Sequence, residues 1–293
     1  YFGDSLGNIW AFWSLEGFER WKYKLPSGSA NARPALGPDG TLYISTTDGK
    51  LYAFAGIGSV EEITRRQKLV YYPSNIEKAP INKPVWTLKL IGSTIGKLAR
   101  GPDGTIYVAR CRDKGEALIP NLYAVSPDGK IKWTLTFNTT YFIVDSINVD
   151  SHGTIFLCAY TWFSSVMQSL IPELFIINKD GTIISRQSFP SSQVLHSIIF
   201  HNDTLYLIQR NRSTQTGPSK FLVINITTLS YPNYNTPTKT IYIKKSLEKD
   251  LIDLLKTTMG PDGTLYLLYI LNPTQVEYLL LLDAYNSSGS LRW

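Results

Sequence analysis

The chain has 293 residues, of which 43% are hydrophobic, 13% aromatic and 18% charged. This content supports a sizeable core and excludes a disordered chain, while the 2 cysteines exclude a disulfide-rich miniprotein. The net charge of +6 forms no compact basic patch, and no apolar run approaches the ~20 residues of a membrane helix, so we expect no nucleic-acid partner and no membrane span in this segment.

The first residues predict short strands separated by turns. Tyr1, Phe2 and Gly3 read as one strand, which a turn joins to a second strand at residues 9–12. A further turn at Gly17 leads to a third strand at residues 19–21. The strand that normally opens such a unit is not present before Tyr1, so we expect the first unit to be incomplete.

A repeated turn organises the rest of the chain. The run GPDGTLY at residues 37–43 recurs nearly unchanged at residues 101–107 and 260–266, and degenerate copies occupy residues 150–156 and 201–206. In this motif Pro sets φ at the second turn position, Asp suits the third, and Gly tolerates the conformation that closes the turn. Thr, Leu and Tyr then begin a strand whose side chains alternate between faces.

Four short strands per repeat, joined by Gly-rich turns, are typical of a β-propeller blade. We therefore predict an all-β fold, a single β-propeller domain over residues 1–293 with about six four-stranded blades. The first blade is incomplete, so the ring is expected to be larger than the visible part and the chain to belong to a longer polypeptide. The predicted blades span residues 1–28, 29–92, 93–137, 138–190, 191–245 and 246–293.

Three repeats end in the same order of Ala, a turn with Gly, and Trp. The three sets are Ala11, Gly17 and Trp21; Ala124, Gly129 and Trp133; and Ala284, Gly289 and Trp293. This pattern resembles the docking motif of PQQ-like, quinoprotein-type propellers, and the shorter turn of the last two sets resembles the noncatalytic branch of that family. The resemblance implies that these tryptophans wedge between neighbouring blades.

The other repeats depart from this pattern. Trp86 is expected to fill the docking position of the second blade after an insertion, whereas Ser185 stands at that position in the fourth blade. The fifth blade has no docking tryptophan.

Quinone-dependent enzymes of the resembled family carry an adjacent cysteine pair over the cofactor. Cys111 and Cys158 are far apart in this sequence, so we expect no cofactor. We interpret both as small buried hydrophobic residues, with a disulfide between blades as the alternative.

Polar residues with metal-ligating or catalytic potential are sparse. His152 and His201 belong to turns of consecutive repeats, but the matching positions hold Asp39, Asp103 and Asp262, which the turn itself explains. We therefore assign no metal ligand and no catalytic residue. A calcium-dependent lactonase-like or quinone-dependent propeller enzyme remains the alternative, and Asn121, Asp145 and Asn148 are the available side chains for the lactonase-like site.

Five Asn-x-Ser/Thr sequons form a modest excess over the roughly 2.7 that composition predicts. They begin at Asn138, Asn202, Asn211, Asn225 and Asn286. Together with the low charge content they favour glycosylation and an extracellular or cell-surface location. Asn225 lies in a strand-like run and is the weakest of the five.

Insertions provide the candidate binding loops. Residues 55–84 contain a run at 60–69 that could form a short helix, and residues 211–219 form another insertion. Trp162 and Phe163 mark a possible interaction loop in the fourth blade. The sequence thus favours a noncatalytic, extracellular or surface-displayed scaffold for protein or glycan contacts, with a role as a subunit of a cell-surface or virion assembly left open.

Overall fold

The computed structural model contains only strands as regular elements in the residues that it describes. The described residues are 1–12, 19–30, 34–37, 39–55, 83–91, 95–111, 121–139, 141–162, 171–190, 193–201, 204–211, 219–230, 232–234, 237–274, 277–286 and 288–292. The chain divides into two compact units, Tyr1–Thr154 with Asn178–Thr182, and Ile155–Ile177 with Ile183–Trp293. No helix in the described ranges has the length and hydropathy needed to cross a membrane.

The first unit contains one three-stranded and two four-stranded antiparallel sheets, followed by one further strand. The first sheet has the order β1 (Phe2–Gly3), β2 (Asn8–Phe12), β3 (Glu19–Lys24). The second comprises β4 (Ala35–Leu36), β5 (Leu42–Ser45), β6 (Lys50–Phe54) and β7 (Trp86–Lys89). The third comprises β8 (Ile95–Arg100), β9 (Ile106–Arg110), β10 (Leu122–Val125) and β11 (Ile131–Leu135), and β12 (Tyr141–Val149) follows. The three strands of the first sheet agree with the predicted incomplete blade.

The second unit begins with three consecutive antiparallel strands, β13 (Ile155–Trp162), β14 (Ile171–Ile177) and β15 (Ile183–Ser188). A six-stranded sheet follows in chain order: β16 (Gln193–His201), β17 (Thr204–Asn211), β18 (Ser219–Ser230), β19 (Lys239–Met259), β20 (Leu265–Thr274) and β21 (Glu277–Tyr285).

Strand β19 joins the fifth and sixth predicted repeats. Residues 239–246 pair with β18 and residues 250–259 pair with β20, while Leu251 pairs with both strands. The predicted boundary between residues 245 and 246 therefore lies inside one 21-residue strand. The sequence could not reveal the length of β19, because no glycine or proline interrupts residues 239–259. The length is set instead by the two strands that pair with it.

The repeated turn has the predicted hairpin geometry. In the three GPDGT copies the first glycine donates its backbone N–H to the threonine carbonyl, with N···O distances of 2.7–2.8 Å. The aspartate Oδ1 accepts the threonine N–H, and Oδ2 accepts the threonine hydroxyl. These three closed turns place the tyrosine that follows them at the same paired position in the second, third and sixth repeats.

Neighbouring repeats pack through opposite faces of their sheets. Leu51 and Ala53 of the second repeat share a core cluster with Val108, Tyr123 and Val125 of the third. In the second unit, Phe156 and Leu174 of the fourth repeat likewise pack with Leu207 of the fifth. The second and fifth repeats thus each bury one face against the repeat before them and the other against the repeat after them.

Two tryptophans confirm the predicted docking role. The Trp86 indole donates to the carbonyl oxygen of Pro127 at 2.9 Å, and the Trp133 indole donates to that of Lys179 at the same distance. Each bond reaches the tight turn of the following repeat. Ser185 pairs with Ile176 as Trp86 pairs with Ala53, so the serine does occupy the docking position of the fourth repeat.

The two cysteines lie in different environments. Cys158 is buried in a core cluster, as expected, but Cys111 is only half-buried, and its sulfur accepts the backbone N–H of Val144 at 3.3 Å. Neither forms a disulfide. The prediction that both are buried is wrong for Cys111, because it lies just after the end of β9 rather than inside a strand. The helix considered at residues 60–69 lies outside the described residues.

Candidate interaction surface

Strand pairing identifies equivalent positions in the first two repeats. Phe2 pairs with Trp10 as Ile44 pairs with Tyr52, and Phe12 follows Trp10 by two residues as Phe54 follows Tyr52. In the second repeat these positions form the face that packs on the preceding repeat. In the first repeat we call the same positions the repeat-one face, which consists of Phe2, Trp10 and Phe12.

The two equivalent faces differ sharply in burial. Ile44, Tyr52 and Phe54 belong to a buried cluster that also contains Ile9 and Leu25 of the first repeat. In contrast, Phe2 is 47% exposed and Phe12 is 38% exposed. Trp10 is half-buried. The repeat-one face is therefore an apolar sheet surface that lacks the cover found on its counterpart.

The three rings of this surface form an ordered row. The Phe2 and Phe12 ring centroids lie 5.6 Å apart with an interplanar angle of 5°, and the Trp10 ring lies 6.2 Å from each of them. Lys22 places its Nζ 4.0 Å from the Trp10 ring centroid. The arrangement offers flat apolar area with one adjacent cation, which suits aromatic or aliphatic contacts.

Asp4 fixes the orientation of Trp10. Its carboxylate accepts hydrogen bonds from the Asn8 backbone N–H and the Asn8 amide, each at 2.8 Å, and from the Trp10 indole at 3.1 Å. These bonds stabilise the charged carboxylate and lower the pKa of Asp4 to about 2. The half-buried indole ring is consequently held in place by the turn at residues 4–8.

The repeat-one face was missed by sequence reasoning. The residues Phe2, Trp10 and Phe12 read as ordinary strand hydrophobics, because a strand pattern shows which side chains share a face but not whether another sheet covers it. The available signal was the concentration of aromatic side chains on one face of adjacent strands.

The turn aspartates have the structural role that the sequence indicated. Burial alone would raise the pKa of Asp103, but hydrogen bonds from Thr105 and Lys132 hold it below its ordinary value. The Thr264 hydroxyl and backbone, followed by Arg292, lower the pKa of Asp262 to about 2. Asp39 likewise has a lowered pKa through its bonds to Thr41. Each carboxylate is engaged within its turn.

The side chains considered for a lactonase-like site have separate roles. Asn121 is buried, and its Oδ1 accepts the backbone N–H of Phe137 at 3.2 Å. Burial raises the pKa of Asp145 to about 6, although Lys97 opposes this. Asn148 lies at the end of β12 and is half-buried. Asn121 therefore forms hydrogen bonds with backbone groups. Among the described contacts, none joins Asn121, Asp145 and Asn148 to one another.

Histidine and carboxylate positions do not assemble a metal centre within the described ranges. His152 donates its backbone N–H to Asp150 at 2.9 Å, which is a turn contact. His201 lies beside the Gly263 turn, with Nε2 3.6 Å from the position of an added Cβ. The side chain of His196 lies outside the described part.

A buried ion pair was also missed by sequence reasoning. Glu173 is 1% exposed, and its carboxylate accepts bonds from Arg186 Nε at 2.8 Å, Arg186 Nη2 at 2.9 Å, Thr161 Oγ1 at 2.6 Å and Ser188 Oγ at 2.8 Å. These four bonds tie the three strands β13, β14 and β15 together. Four donors converge on one carboxylate, so the cluster serves the packing of the sheet.

The sequons occupy different surroundings. Asn138 is exposed at the end of the third repeat, whereas Asn286 is half-buried in a turn where its Oδ1 accepts the backbone N–H groups of Ser288 and Ser290. Asn225 lies in β18 and Asn211 ends β17, but their side chains are not described. Asn202 lies outside the described residues.

The described residues include only the first residue of the predicted interaction loop at Trp162 and Phe163. Trp162 is the last residue of β13, and nothing of its side chain is described; Phe163 lies outside the described residues.

The chain resembles known proteins in its fold and not in its sequence. No protein-family model and no curated protein sequence matches the chain. Among solved structures, Chaetomium thermophilum Sqt1 bound to the N-terminus of the ribosomal protein L10 superposes with a TM-score of 0.54 at 12% identity, over 90% of this chain and 64% of Sqt1.

Two further structures give weaker matches. A eukaryotic initiation factor gives a TM-score of 0.46 at 10% identity, over 92% of this chain and 56% of its own. The Myceliophteria thermophila Cps50 (Swd1) β-propeller domain gives 0.47 at 11% identity, over 90% of this chain and 73% of its own. The chain thus spans less than two thirds of the length of the initiation factor and of Sqt1. Its repeated antiparallel sheets and its likeness to Sqt1 show that the fold is an all-β propeller.

Proposed function

We propose that the chain is a noncatalytic β-propeller scaffold that binds a protein partner, and that the repeat-one face is one of its contact surfaces. The observation that carries this proposal is the exposure of Phe2 and Phe12 at positions that the second repeat buries completely. The Sqt1 structure, in which a propeller-like neighbour is bound to the N-terminus of a ribosomal protein, supports protein binding as a use of this fold.

The chemistry of the surface favours a protein partner over a charged ligand. Aromatic side chains concentrate binding energy at protein interfaces because they bury large areas with little loss of side-chain entropy. Trp10 is already oriented by Asp4, so binding would not need to order this ring. Lys22, at 4.0 Å from the same ring, is placed to pair with a carboxylate or carbonyl at the rim of the contact.

Site-specific photo-crosslinking tests this proposal. Phe12 is replaced by p-benzoylphenylalanine in the organism that makes the chain, and the control carries the same group at Leu6, which is 73% exposed in a turn of the same repeat. We expect a discrete covalent adduct with protein from position 12 and none from position 6. Equal adducts from both positions, or none from position 12, would contradict binding through this face.

We propose in addition that the scaffold is displayed outside the cell and is glycosylated. The support is the set of sequons, of which Asn138 has an exposed side chain. Intact mass spectrometry of native material is the test, with an Asn138→Gln variant as the matched control. We expect the native mass to exceed that of the sequence and to fall by one glycan in the variant, whereas a mass equal to the bare sequence would rule out glycosylation.

A glycan ligand or a role as an assembly subunit would use the same scaffold. A glycan array probed with the chain, with a Trp10→Ala variant in parallel, separates glycan binding from protein binding. Binding to an oligosaccharide that is lost in the variant would favour a glycan as the occupant of the repeat-one face.

A further inference from the structure

The junction between the second and third repeats shows how a docking tryptophan works. The Trp86 ring lies 5.9 Å from the ring of Tyr43, the tyrosine that follows the GPDGT turn of the same repeat. The next repeat contributes Gly129, whose missing side chain leaves room for the indole, and the Pro127 carbonyl, which accepts the indole N–H. The fourth strand of one repeat thus supplies an aromatic wedge, and the following turn supplies the space for it.

The junction between the third and fourth repeats has the same geometry. The Trp133 ring lies 5.8 Å from the ring of Tyr107, which is the counterpart of Tyr43. A Cβ added to Gly181 in the next turn would lie 3.1 Å from Trp133 Cδ2, and the Lys179 carbonyl accepts the indole N–H at 2.9 Å. Two successive junctions therefore combine a tryptophan on the strand with a glycine in the turn that follows.

The junction between the fourth and fifth repeats lacks this tryptophan. Ser185 holds the docking position through its pairing with Ile176. Phe156 pairs with the same isoleucine, so it is the counterpart of Tyr107. A serine side chain is too short to pack on the Phe156 ring as an indole does. Another side chain must therefore fill the position of the wedge.

Tyr234 fills this position from the opposite side of the junction. It lies in the connection between β18 and β19 of the fifth repeat, and its ring centroid is 4.8 Å from that of Phe156 with an interplanar angle of 81°. Tyr234 is 6% exposed and belongs to the buried cluster that joins the two repeats. Its carbonyl oxygen accepts the Gln187 side-chain amide N–H at 3.3 Å, as the Lys179 carbonyl accepts an indole N–H at the previous junction.

Hydrogen bonds hold this connection to the fifth repeat. Thr238 donates its backbone N–H to the Thr228 carbonyl at 2.8 Å, and the two threonine hydroxyls lie 2.9 Å apart. Ser230 and Asn233 form an isolated antiparallel bridge beside Tyr234. Because the connection is anchored in its own repeat, burial of the Tyr234 ring against Phe156 ties the fifth repeat to the fourth.

We infer that Tyr234 is the docking residue of this junction, and that the following repeat rather than the preceding one supplies the wedge. A tryptophan introduced by Ser185→Trp would need the space over Phe156 that Tyr234 occupies, since the docking tryptophans of the earlier repeats occupy the equivalent space. The two aromatic side chains therefore exclude each other. The inference goes beyond the proposed function: it assigns the connection after β18 to the fold and removes it from the set of free binding loops.

Thermal unfolding of the full chain, followed by circular dichroism in a double-mutant cycle, tests this exclusion. Ser185→Trp alone should overfill the junction and lower the unfolding midpoint by about 2 °C or more. Tyr234→Ala alone should leave a cavity and lower the midpoint by about 5 °C or more. In the double variant the introduced indole takes the space that the tyrosine leaves, so the midpoint should rise above that of Tyr234→Ala.

Two matched controls separate docking from general repacking. Ile184→Trp adds the same ring at the neighbouring position, which is 52% exposed, and should shift the midpoint equally in the wild-type and Tyr234→Ala backgrounds. Phe200→Ala removes another ring that lies 4.8 Å from Phe156, but it should leave Ser185→Trp as destabilising as before. Tyr234→Leu, which keeps part of the buried side chain, takes the place of Tyr234→Ala if that variant does not fold.

Two outcomes would overturn the inference. One is a Ser185→Trp effect that is the same with and without Tyr234, because the two side chains would then occupy different places. The other is an unchanged midpoint in Tyr234→Ala, since a docking residue cannot be removed without loss. Neither outcome concerns the repeat-one face, whose crosslinking test decides the proposed function separately.

Discussion

The Glu173 carboxylate accepts four side-chain hydrogen bonds within the second unit. Its four donors come from Thr161, Arg186 and Ser188. Arg186 and Ser188 are exposed and can turn towards water, whereas Thr161 is buried. A buried carboxylate that is removed leaves its donors without an acceptor, which costs more than the ion pair itself contributes. The cluster is therefore sensitive to single substitutions.

We predict that Glu173→Ala lowers the free energy of unfolding by about 2–3 kcal/mol. Urea denaturation followed by circular dichroism measures this loss. Asp128→Ala is the control, because the Asp128–Lys130 ion pair is exposed and its loss should lower the free energy of unfolding far less. A double replacement, Glu173→Leu with Arg186→Met, should recover most of the loss; failure to do so would show that the ion pair is favourable in its own right.

Asp145 gives the opposite pH dependence from the turn aspartates. Its pKa is raised to about 6 by burial, so the folded chain binds this proton more tightly than the unfolded chain, where the carboxyl has its ordinary pKa of 3.8. The stability that this preference contributes is fully present below pH 3.8 and is lost as the pH rises through about 6. Above about pH 6 the ionised carboxylate of Asp145 lowers the free energy of unfolding, because burial disfavours its charge.

We therefore predict that Asp145→Asn stabilises the protein at pH 8 by about 1–3 kcal/mol, since one pKa unit corresponds to about 1.4 kcal/mol. The gain should disappear at pH 3.5, where Asp145 is protonated in both states. Thermal unfolding at both pH values is the measurement. Asp48→Asn should have the opposite effect. Burial alone would raise the pKa of Asp48, but hydrogen bonds from Lys50, Ser27 and Thr46 lower it to about 2. Removal of this carboxylate should therefore destabilise the protein at pH 8.

At the scale of elements, the contact between a tryptophan and the next turn controls how repeats join. Gly129 has a φ of +84°, and a Cβ added there would lie 2.9 Å from Trp86 Cδ2. Both the backbone conformation and the indole therefore require glycine. The same turn supplies the Pro127 carbonyl that accepts the Trp86 indole.

We predict that Gly129→Ala destabilises by about 2–4 kcal/mol, of which about 1–2 kcal/mol is the conformational cost and the rest the clash. A double-mutant cycle with Trp86→Leu isolates the clash, because Gly129→Ala should cost less in that background. The control is Gly153→Ala, where φ is +89° but the nearest atom is Lys179 Cβ at 3.4 Å. Equal costs for the two glycines would disprove the packing role of Trp86.

Sequence reasoning works well for local features of these elements and poorly for contextual ones. The GPDGT hairpins and the place of Trp86 were predicted, because Pro, Asp, Gly and Trp act through nearby atoms. The extent of β19 and the exposure of Phe2 were not, since both depend on which sheet lies alongside. Glu173 is a similar case: three strands must fold before its four donors meet.

At the scale of the whole molecule, the chain divides into two compact units. That residues 1–293 form a single domain remains a prediction. Five of the seven tryptophans belong to the first unit, namely Trp10, Trp13, Trp21, Trp86 and Trp133, whereas Trp162 and Trp293 belong to the second. Tryptophan fluorescence therefore reports mainly on that unit, while far-ultraviolet circular dichroism reports on the strands of both. This difference makes cooperativity measurable without labels.

We predict that the two signals coincide during urea unfolding, with midpoints within about 0.2 M, as expected for a single cooperative transition. Trp133→Phe is the control, because it weakens one junction inside the first unit and should shift both curves together. Two separated transitions would show that the units unfold as independent domains, and the single-domain prediction would then be wrong.

The length of β19 limits how this chain can be shortened. A polypeptide ended at residue 245, where the repeat pattern places a boundary, would keep the half of the strand that pairs with β18 and lose the half that pairs with β20. The fifth repeat would then end on a cut strand, although most of the edge of β18 would stay covered. An end placed after residue 230 would instead remove all of β19 and bare the edge of β18 that residues 239–246 cover, and bare edges recruit strands from other molecules. Truncation between β18 and β19 is thus a route to aggregation, even though it cuts no strand.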